Sequence, residues 1–282
     1  MQQRLYTPEQ SLSFFGAVRD TVSSWYVHRD LAWAMVKRDV MLRYRGSFLG
    51  LLWSFLSPLL LLAVYSVVFG VFFRQEWPLP EDRKVAFTLM LFCGIVPFNF
   101  FSEVISKSPL LIVNSPNYVK RIAFPVQLLP MVAVGSALLH TAISSLLLLA
   151  AISIWTGGLP LTALWYPVVW IPLVLATLAL SLLIAALGVF LRDLVHLVGF
   201  GLSVLFFMTP IVYPETFVTS SFRFILWVNP IAYAVSNIRK TCILGLPINL
   251  DTWLAFTALS IIALCLIDGW FPRLRRRFAD VL

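Results

Sequence analysis

The sequence predicts an all-α integral membrane protein with six transmembrane helices, and three observations carry that expectation. Only 12% of the 282 residues are charged and 60% are hydrophobic, against about 25% charged in an ordinary soluble domain. Several apolar runs exceed the roughly 18 residues that mark a membrane-crossing helix. Basic residues stand beside these runs, so the net charge of +8 reads as a membrane-orientation signal and not as a nucleic-acid surface. Cys93, Cys242 and Cys265 have no metal-ligand spacing and read as small hydrophobes. No short apolar core followed by a small-residue cleavage site occurs in the first 47 residues. The first span is therefore expected to be an uncleaved anchor.

In chain order, residues 1–28 are mixed and polar-aromatic and read as a cytoplasmic extension. Residues 29–282 read as one transmembrane domain. Residues 29–46 predict an amphipathic helix with two apolar stripes. Trp33, Val36, Val40 and Tyr44 form one; Leu31, Met35 and Leu42 form the other. Two stripes imply contact with lipid on one side and protein on the other.

Phe48–Phe73 is span one. Its 26 residues lack any Asp, Glu, Lys or Arg, and a helix of that length reaches about 39 Å against about 30 Å of hydrocarbon. It is expected to tilt or to project outward, with Pro58 as a kink. A charged, Pro-containing loop (Arg74–Lys84) leads to span two, about 85–105, which carries Asn99 and Glu103.

In the next loop, Ser115 is a good N-cap and Pro116 suits the first helical position. Lys120 and Arg121 then suit the end of a short helix. Ile122–Leu191 is 70 residues without Asp, Glu, Lys or Arg, so it must cross twice. Spans three and four, about 125–155 and 161–191, are joined by the Thr156–Pro160 turn.

Span five covers 194–213. Gly188, Gly199 and Gly201 are placed to let neighbouring helices approach. Residues 214–250 hold two short, Pro-delimited helical stretches, about 217–228 and 231–244, read as a re-entrant or interfacial pair. Span six, 253–271, precedes Pro272 and four arginines, Arg273, Arg275, Arg276 and Arg277.

Six spans put both termini on one side. With that side cytoplasmic, 15 of the 21 Lys and Arg lie inside and 6 outside, as the positive-inside rule favours. Trp77, Trp155, Trp165, Trp227 and Trp253 then fall near the outer interface, and Trp53 and Trp270 near the inner one.

No GxxxxGK[ST], HExxH or GxSxG pattern occurs. The chain is expected neither to hold ATP in a P-loop nor to carry a catalytic or metal centre. Glu103, His140 and Asp268 are the only candidates for acid–base work, and they lie on three different spans. What remains is a membrane path without its own energy source, with prominent cytoplasmic surfaces.

Three segments resemble a known family. Arg38–Gly70 (RDVMLRYRGSFLGLLWSFLSPLLLLAVYSVVFG), Asn114–Pro125 (NSPNYVKRIAFP) and Asn229–Tyr233 (NPIAY) look like those of permease subunits of type-2 ABC exporters for polysaccharides: O-antigen, capsule and teichoic-acid exporters. The likeness covers about residue 29 to the C-terminus.

The resemblance implies a homodimeric permease in the bacterial inner membrane over two copies of a separate nucleotide-binding subunit. ATP and Mg would be held there, with no cofactor or metal on this chain. The helix 29–46, with Trp33, Lys37 and Arg38, would be the interface helix. Ser115, Asn117, Tyr118, Lys120 and Arg121 would form the coupling helix. The 214–250 segment would supply two outer gate helices. The cargo would be a polysaccharide, commonly on undecaprenyl diphosphate.

Sugars stack on aromatic faces through their apolar C–H surfaces. Tyr65, Phe69, Phe72 and Phe73 on span one, with Phe206, Phe207 and Tyr213 on span five, are expected to line the path. Arg43 and Arg45 would stand at the cytoplasmic mouth, where arginine suits either a lipid diphosphate or anionic headgroups. Two alternatives stay open: a permease of the same fold for a drug, haem or lipid, and a membrane transferase acting on a lipid-linked sugar.

Overall fold

The computed structural model describes residues 27–45, 47–73, 77–78, 86–119, 124–275 and 278. Among these, every regular element is helical. In chain order they are α1 (Arg29–Tyr44), α2 (Trp53–Tyr65), α3 (Phe87–Lys107), α4 (Pro116–Val119), α5 (Leu128–Thr156), α6 (Tyr166–Gly188), α7 (Leu194–Met208), α8 (Arg223–Val228), α9 (Pro230–Cys242) and α10 (Leu250–Arg275). The helix α2 continues as a π-helix, Ser66–Phe72, closed by an i→i+5 bond from Phe73 N–H to the Val68 carbonyl.

α3 is the centre of the fold. In its most apolar 18 residues 78% are buried, with Phe92, Phe100 and Val104 closed off from solvent. The helices α5, α6, α7 and α9 pack around it. The seam between α6 and α10 has a specific cause. Pro172 lacks an N–H, so the Val168 carbonyl loses its helical partner. The Trp253 indole N–H on α10 donates to that carbonyl at 2.9 Å, and the Ser260 hydroxyl donates to the Pro172 carbonyl at 3.1 Å. A proline in one span is thereby satisfied by side chains from another.

Among the described residues, five helical stretches are long and apolar enough to cross a membrane: Trp53–Phe72, Phe87–Leu110, Leu128–Thr156, Leu161–Gly188 and Leu250–Phe271. The region expected as span five forms only the 15-residue α7, about 22 Å long. It ends at Met208 because Thr209 turns extended (φ −95°, ψ 135°) and Pro210 follows.

Span one also differs from expectation. Gly50 takes a left-handed φ of 51°, and Gly50–Leu52 form a 3-10 turn. The helical stretch begins at Trp53, and its 20 residues reach about 30 Å, the hydrocarbon thickness. The expected excess length is therefore absent from the helix. At the far end of the chain α10 begins at Leu250 and runs on to Arg275, past the expected stop at Phe271.

The helix α1 lies along α5, but on neither predicted stripe. Met35 and Val36, one from each, are its buried residues, while Leu31, Trp33 and Leu42 are exposed. Adjacent residues sit about 100° apart on a helix, so the contact line falls between the stripes. Gly135 on α5 provides the socket: a Cβ there would lie 2.8 Å from a Val36 methyl.

The expected pair of short helices in 214–250 is unequal. α8 has six residues and buries none, whereas α9 buries ten of thirteen. Residues 1–26 of the N-terminal extension, and Gly46 of the predicted helix 29–46, lie outside the described residues.

Candidate functional site

Three groups of residues gather at defined places on this scaffold. The first is basic and lies where α3 ends. The Arg43 guanidinium on α1 donates to the Glu103 carboxylate on α3, and Lys107, one turn on, donates to the same oxygen at 3.0 Å. The pairing joins α1 to α3. Arg43, expected at an open mouth, is thus engaged within the chain, while Arg45 is exposed. Trp33, Lys37 and Arg38 are also exposed along α1. A carboxylate held by two cations is a poor general base, which removes the best acid–base candidate on this chain.

The loop beyond α3 is seated on α6. Ser108 and Ser181 share a hydrogen bond of 2.8 Å in a buried setting. A Cβ on Gly188 would lie 2.1 Å from the Pro109 carbonyl oxygen, so only glycine permits this approach. The predicted short helix follows as α4, with Ser115 just before it and Pro116 first, and the Tyr118 N–H donates to the Ser115 carbonyl at 3.0 Å. The Tyr118 ring packs on Phe124 at 4.6 Å. Lys120, Arg121 and the side chain of Asn117 lie outside the described residues.

The second group is aromatic. Tyr65, Phe69 and Phe206 come together around α3, packed on a small cluster of Phe87, Leu91, Ile95 and Ile211. Ring contacts run Tyr65–Phe69 (6.1 Å), Phe69–Phe87 (5.3 Å) and Phe87–Trp77 (5.4 Å). A second run goes Phe98–Phe206 (5.0 Å) to Phe207 (5.4 Å). Phe72, Phe73 and Phe207 are exposed. Tyr213 donates its hydroxyl to the Phe207 carbonyl at 2.8 Å, which folds the chain after α7 back on that helix.

An open recess of about 300 Å³ lies between α3 and α7, lined by Phe98, Ser102, Leu202, Ser203, Phe206 and Phe207. The lining is mainly apolar and aromatic, and the Ser102 and Ser203 hydroxyls donate within their own helices to the Asn99 and Gly199 carbonyls. Trp77, Phe87 and Phe98, which the expectation for spans one and five does not include, extend these two runs. Their signal was weak because nothing in an apolar run tells which of its rings meets a neighbour.

The third group is polar and buried, at the opposite end of α3 from Glu103. Asn229 caps α9: its Oδ1 accepts from the Ile231 and Ala232 N–H groups at 2.9 and 3.3 Å, with Pro230 in the first turn. Its Nδ2 donates to Thr209 Oγ1 at 2.8 Å, just past α7. Tyr233 stacks on Phe256 of α10 at 4.7 Å. The NPIAY segment is thus a helix start tied to two other helices. The Asn-Pro pair was a readable capping signal that the sequence reading did not use.

Farther along α9, Arg239 is buried and donates to the backbone carbonyls of Met90, Pro210 and Ile211.

A model of the ABC-2 type transporter family matches residues 30–243. The O-antigen export system permease protein RfbA of Myxococcus xanthus is 30% identical over 262 residues, covering 92% of this chain and 98% of that protein. An O-antigen export system permease protein RfbA of Klebsiella pneumoniae is 27% identical, covering 90% and 95%. The polysialic acid transport protein KpsM of Escherichia coli is 23% identical, covering 79% and 85%. The helical architecture, its long apolar spans and the match over 30–243 lead to one conclusion: this chain belongs to the ABC-2 type transporter family, as a multi-pass membrane protein.

Proposed function

We propose that this chain is the permease subunit of an ATP-driven exporter that moves a polysaccharide, carried on undecaprenyl diphosphate, across the bacterial inner membrane. The observation that carries the reading is the pair of relative names. Proteins called O-antigen export permease and polysialic acid transport protein align with most of this chain, one of them over 98% of its own length.

In this reading the unit is a homodimer with two copies of an ATPase subunit, which holds ATP and Mg and performs the hydrolysis. The domain comprises residues 29–282, residues 1–28 are a cytoplasmic extension, and both termini are cytoplasmic. The asymmetry of 15 inner to 6 outer Lys and Arg supports that orientation. α1, through Trp33, Lys37 and Arg38, faces the ATPase and the inner membrane surface. Ser115–Arg121 engages the ATPase as the coupling helix. The segment 214–250 gates the outer side. Arg45 meets the lipid diphosphate, with Arg43 steering from within its pair to Glu103.

The exposed surfaces support a second copy. α7 buries none of its residues, and α2 buries only Ser54 and Pro58. A Cβ on Gly199 or Gly201 would meet nothing within 4 Å. Two such faces, paired across a twofold axis, enclose a path lined by Tyr65, Phe69, Phe72, Phe73, Phe206, Phe207 and Tyr213. Stacking on rings lets a glycan slide, because every sugar presents a similar apolar face.

The test is ATP hydrolysis by the co-purified ATPase in liposomes, with and without the lipid-linked glycan. Stimulation by the glycan, and none by drugs or haem, is the expected result. Stimulation by a drug, haem or unglycosylated lipid alone would assign a different cargo.

A further inference from the structure

The Arg239 side chain is 6% exposed, and among the described residues no carboxylate lies within 4 Å of it. A buried charge, here with Glu215 as a more distant opposite charge, is costly unless hydrogen bonds replace its hydration. Here they do. Nε and Nη2 donate to the Met90 carbonyl at 3.0 and 2.9 Å. Nη1 donates to the Pro210 carbonyl at 2.6 Å, and Nη2 also donates to the Ile211 carbonyl at 2.7 Å. The guanidinium face stacks on Trp77, 4.4 Å from the ring centroid.

Four hydrogen bonds engage all three nitrogens of a group with five N–H donors. Little is left for a ligand, so Arg239 is not placed to bind cargo. Its partners instead belong to three elements: α3 at Met90, the corner after α7 at Pro210 and Ile211, and the segment holding Trp77. The corner is held twice from α9, because Asn229 bonds Thr209 as well. Gly94 completes the site. A Cβ there would lie 3.0 Å from an Ile211 methyl and 3.3 Å from Arg239 Nη2, so the corner and the guanidinium both lean against bare backbone.

We propose that Arg239 is a positioning residue that latches the outer end of α7 to α3 and so keeps the outward exit closed at rest. This rests on the exporter reading above. The chemistry suits a latch. Backbone carbonyls carry no net charge, so breaking these bonds separates no charged pair. The side chain reaches between the helix read as an outer gate and a helix read as lining the path. Phe206 and Phe207, with Tyr213 bonded to the latter's carbonyl, flank the latched corner at residues 209–211. Releasing Pro210 and Ile211 loosens that part of the wall, with the Asn229–Thr209 bond still tying it to α9.

The experiment uses the full complex with its ATPase in liposomes, without ATP, and measures leak of a trapped small anionic dye. Arg239→Met is expected to assemble with the ATPase yet leak at least about tenfold faster, a shift of about 1.4 kcal/mol in the open population. Arg239→Lys, with a point charge and three donors in place of the planar fork, should fall between. Trp77→Leu and Gly94→Ala should each raise leak by a smaller factor. Wild-type leak in an assembled Arg239→Met complex overturns the latch. If Arg239→Met fails to accumulate, wild-type leak in both Trp77→Leu and Gly94→Ala overturns it instead. Loss of glycan-stimulated ATPase in the wild type would count against the exporter reading, whereas dye leak is read without ATP or glycan.

Discussion

The first and second spans, Trp53–Phe72 and Phe87–Leu110, are both apolar and both long enough to cross a bilayer, yet 6% of the most apolar 18 residues are buried in one and 78% in the other. α3 has protein on most sides. α2 touches α3 and α5 along narrow contacts and leaves the rest open. α7 shares the condition of α2, and its glycines 199 and 201 face open space where Gly188 on α6 is pressed against Pro109. The difference separates a scaffold from a rim. α3, α5, α6, α9 and α10 supply the scaffold. α2 and α7 supply the rim, where a second copy and a moving cargo are proposed to act.

The largest effects should come from the scaffold. Phe100→Ala removes a fully buried ring that stacks edge-on with Trp170 at 5.6 Å, and should destabilise the chain by about 3–5 kcal/mol. Val64→Ala, on the open face of α2, should stay within about 0.5 kcal/mol. Thermal unfolding in detergent compares them, and equal losses would erase the distinction between scaffold and rim.

Next in size is the glycine pair. Gly188→Ala forces apart α6 and the Pro109 turn and should cost about 1–3 kcal/mol, as overpacking does. Gly199→Leu should leave the chain's melting unchanged but weaken pairing of copies, read by analytical ultracentrifugation. A Gly199→Leu chain that unfolds early would place α7 in the scaffold.

Smaller still is Glu103→Gln, which breaks the charge pairing with Arg43 and Lys107. The group is partly exposed, so the loss should be about 1 kcal/mol, with α1 exchanging its amide hydrogens faster while α5 is unaffected. Uniform exchange along both helices would mean that the pair does not hold α1.

An equally small effect on folding, but a large one on coupling, is expected for Tyr118→Ala. Melting should fall only by what the Tyr118–Phe124 ring contact contributes, about 1 kcal/mol, and stimulation of the partner ATPase should fall several-fold. Unchanged stimulation would remove α4 as the coupling element.

Much of this architecture was legible in the sequence because it depends on solvent. Bilayer-length apolar runs, the turn at Thr156–Pro160 and the Ser115–Pro116 helix start all follow from local chemistry. The short α7 was not legible, since Thr209 and Pro210 end it inside an apolar run that hydropathy continues to Tyr213. The single ridge of α1 depends on where Gly135 stands on another helix. Phe69 and Phe206 both pack on the small cluster of Phe87, Leu91, Ile95 and Ile211, but Phe87 and Phe98 carry no distinguishing pattern. The role of Arg239 was not legible, because its partners are backbone carbonyls, which have no sequence signature. Arg43 looked free because Glu103 is sixty residues away.

The account stands most directly on cargo movement. Inverted membrane vesicles carrying this chain with its ATPase partner should draw lipid-linked polysaccharide into the lumen when ATP is added, and should not do so with a hydrolysis-deficient ATPase. Uptake that is the same with the deficient ATPase, or movement of other cargo with no polysaccharide, would contradict it.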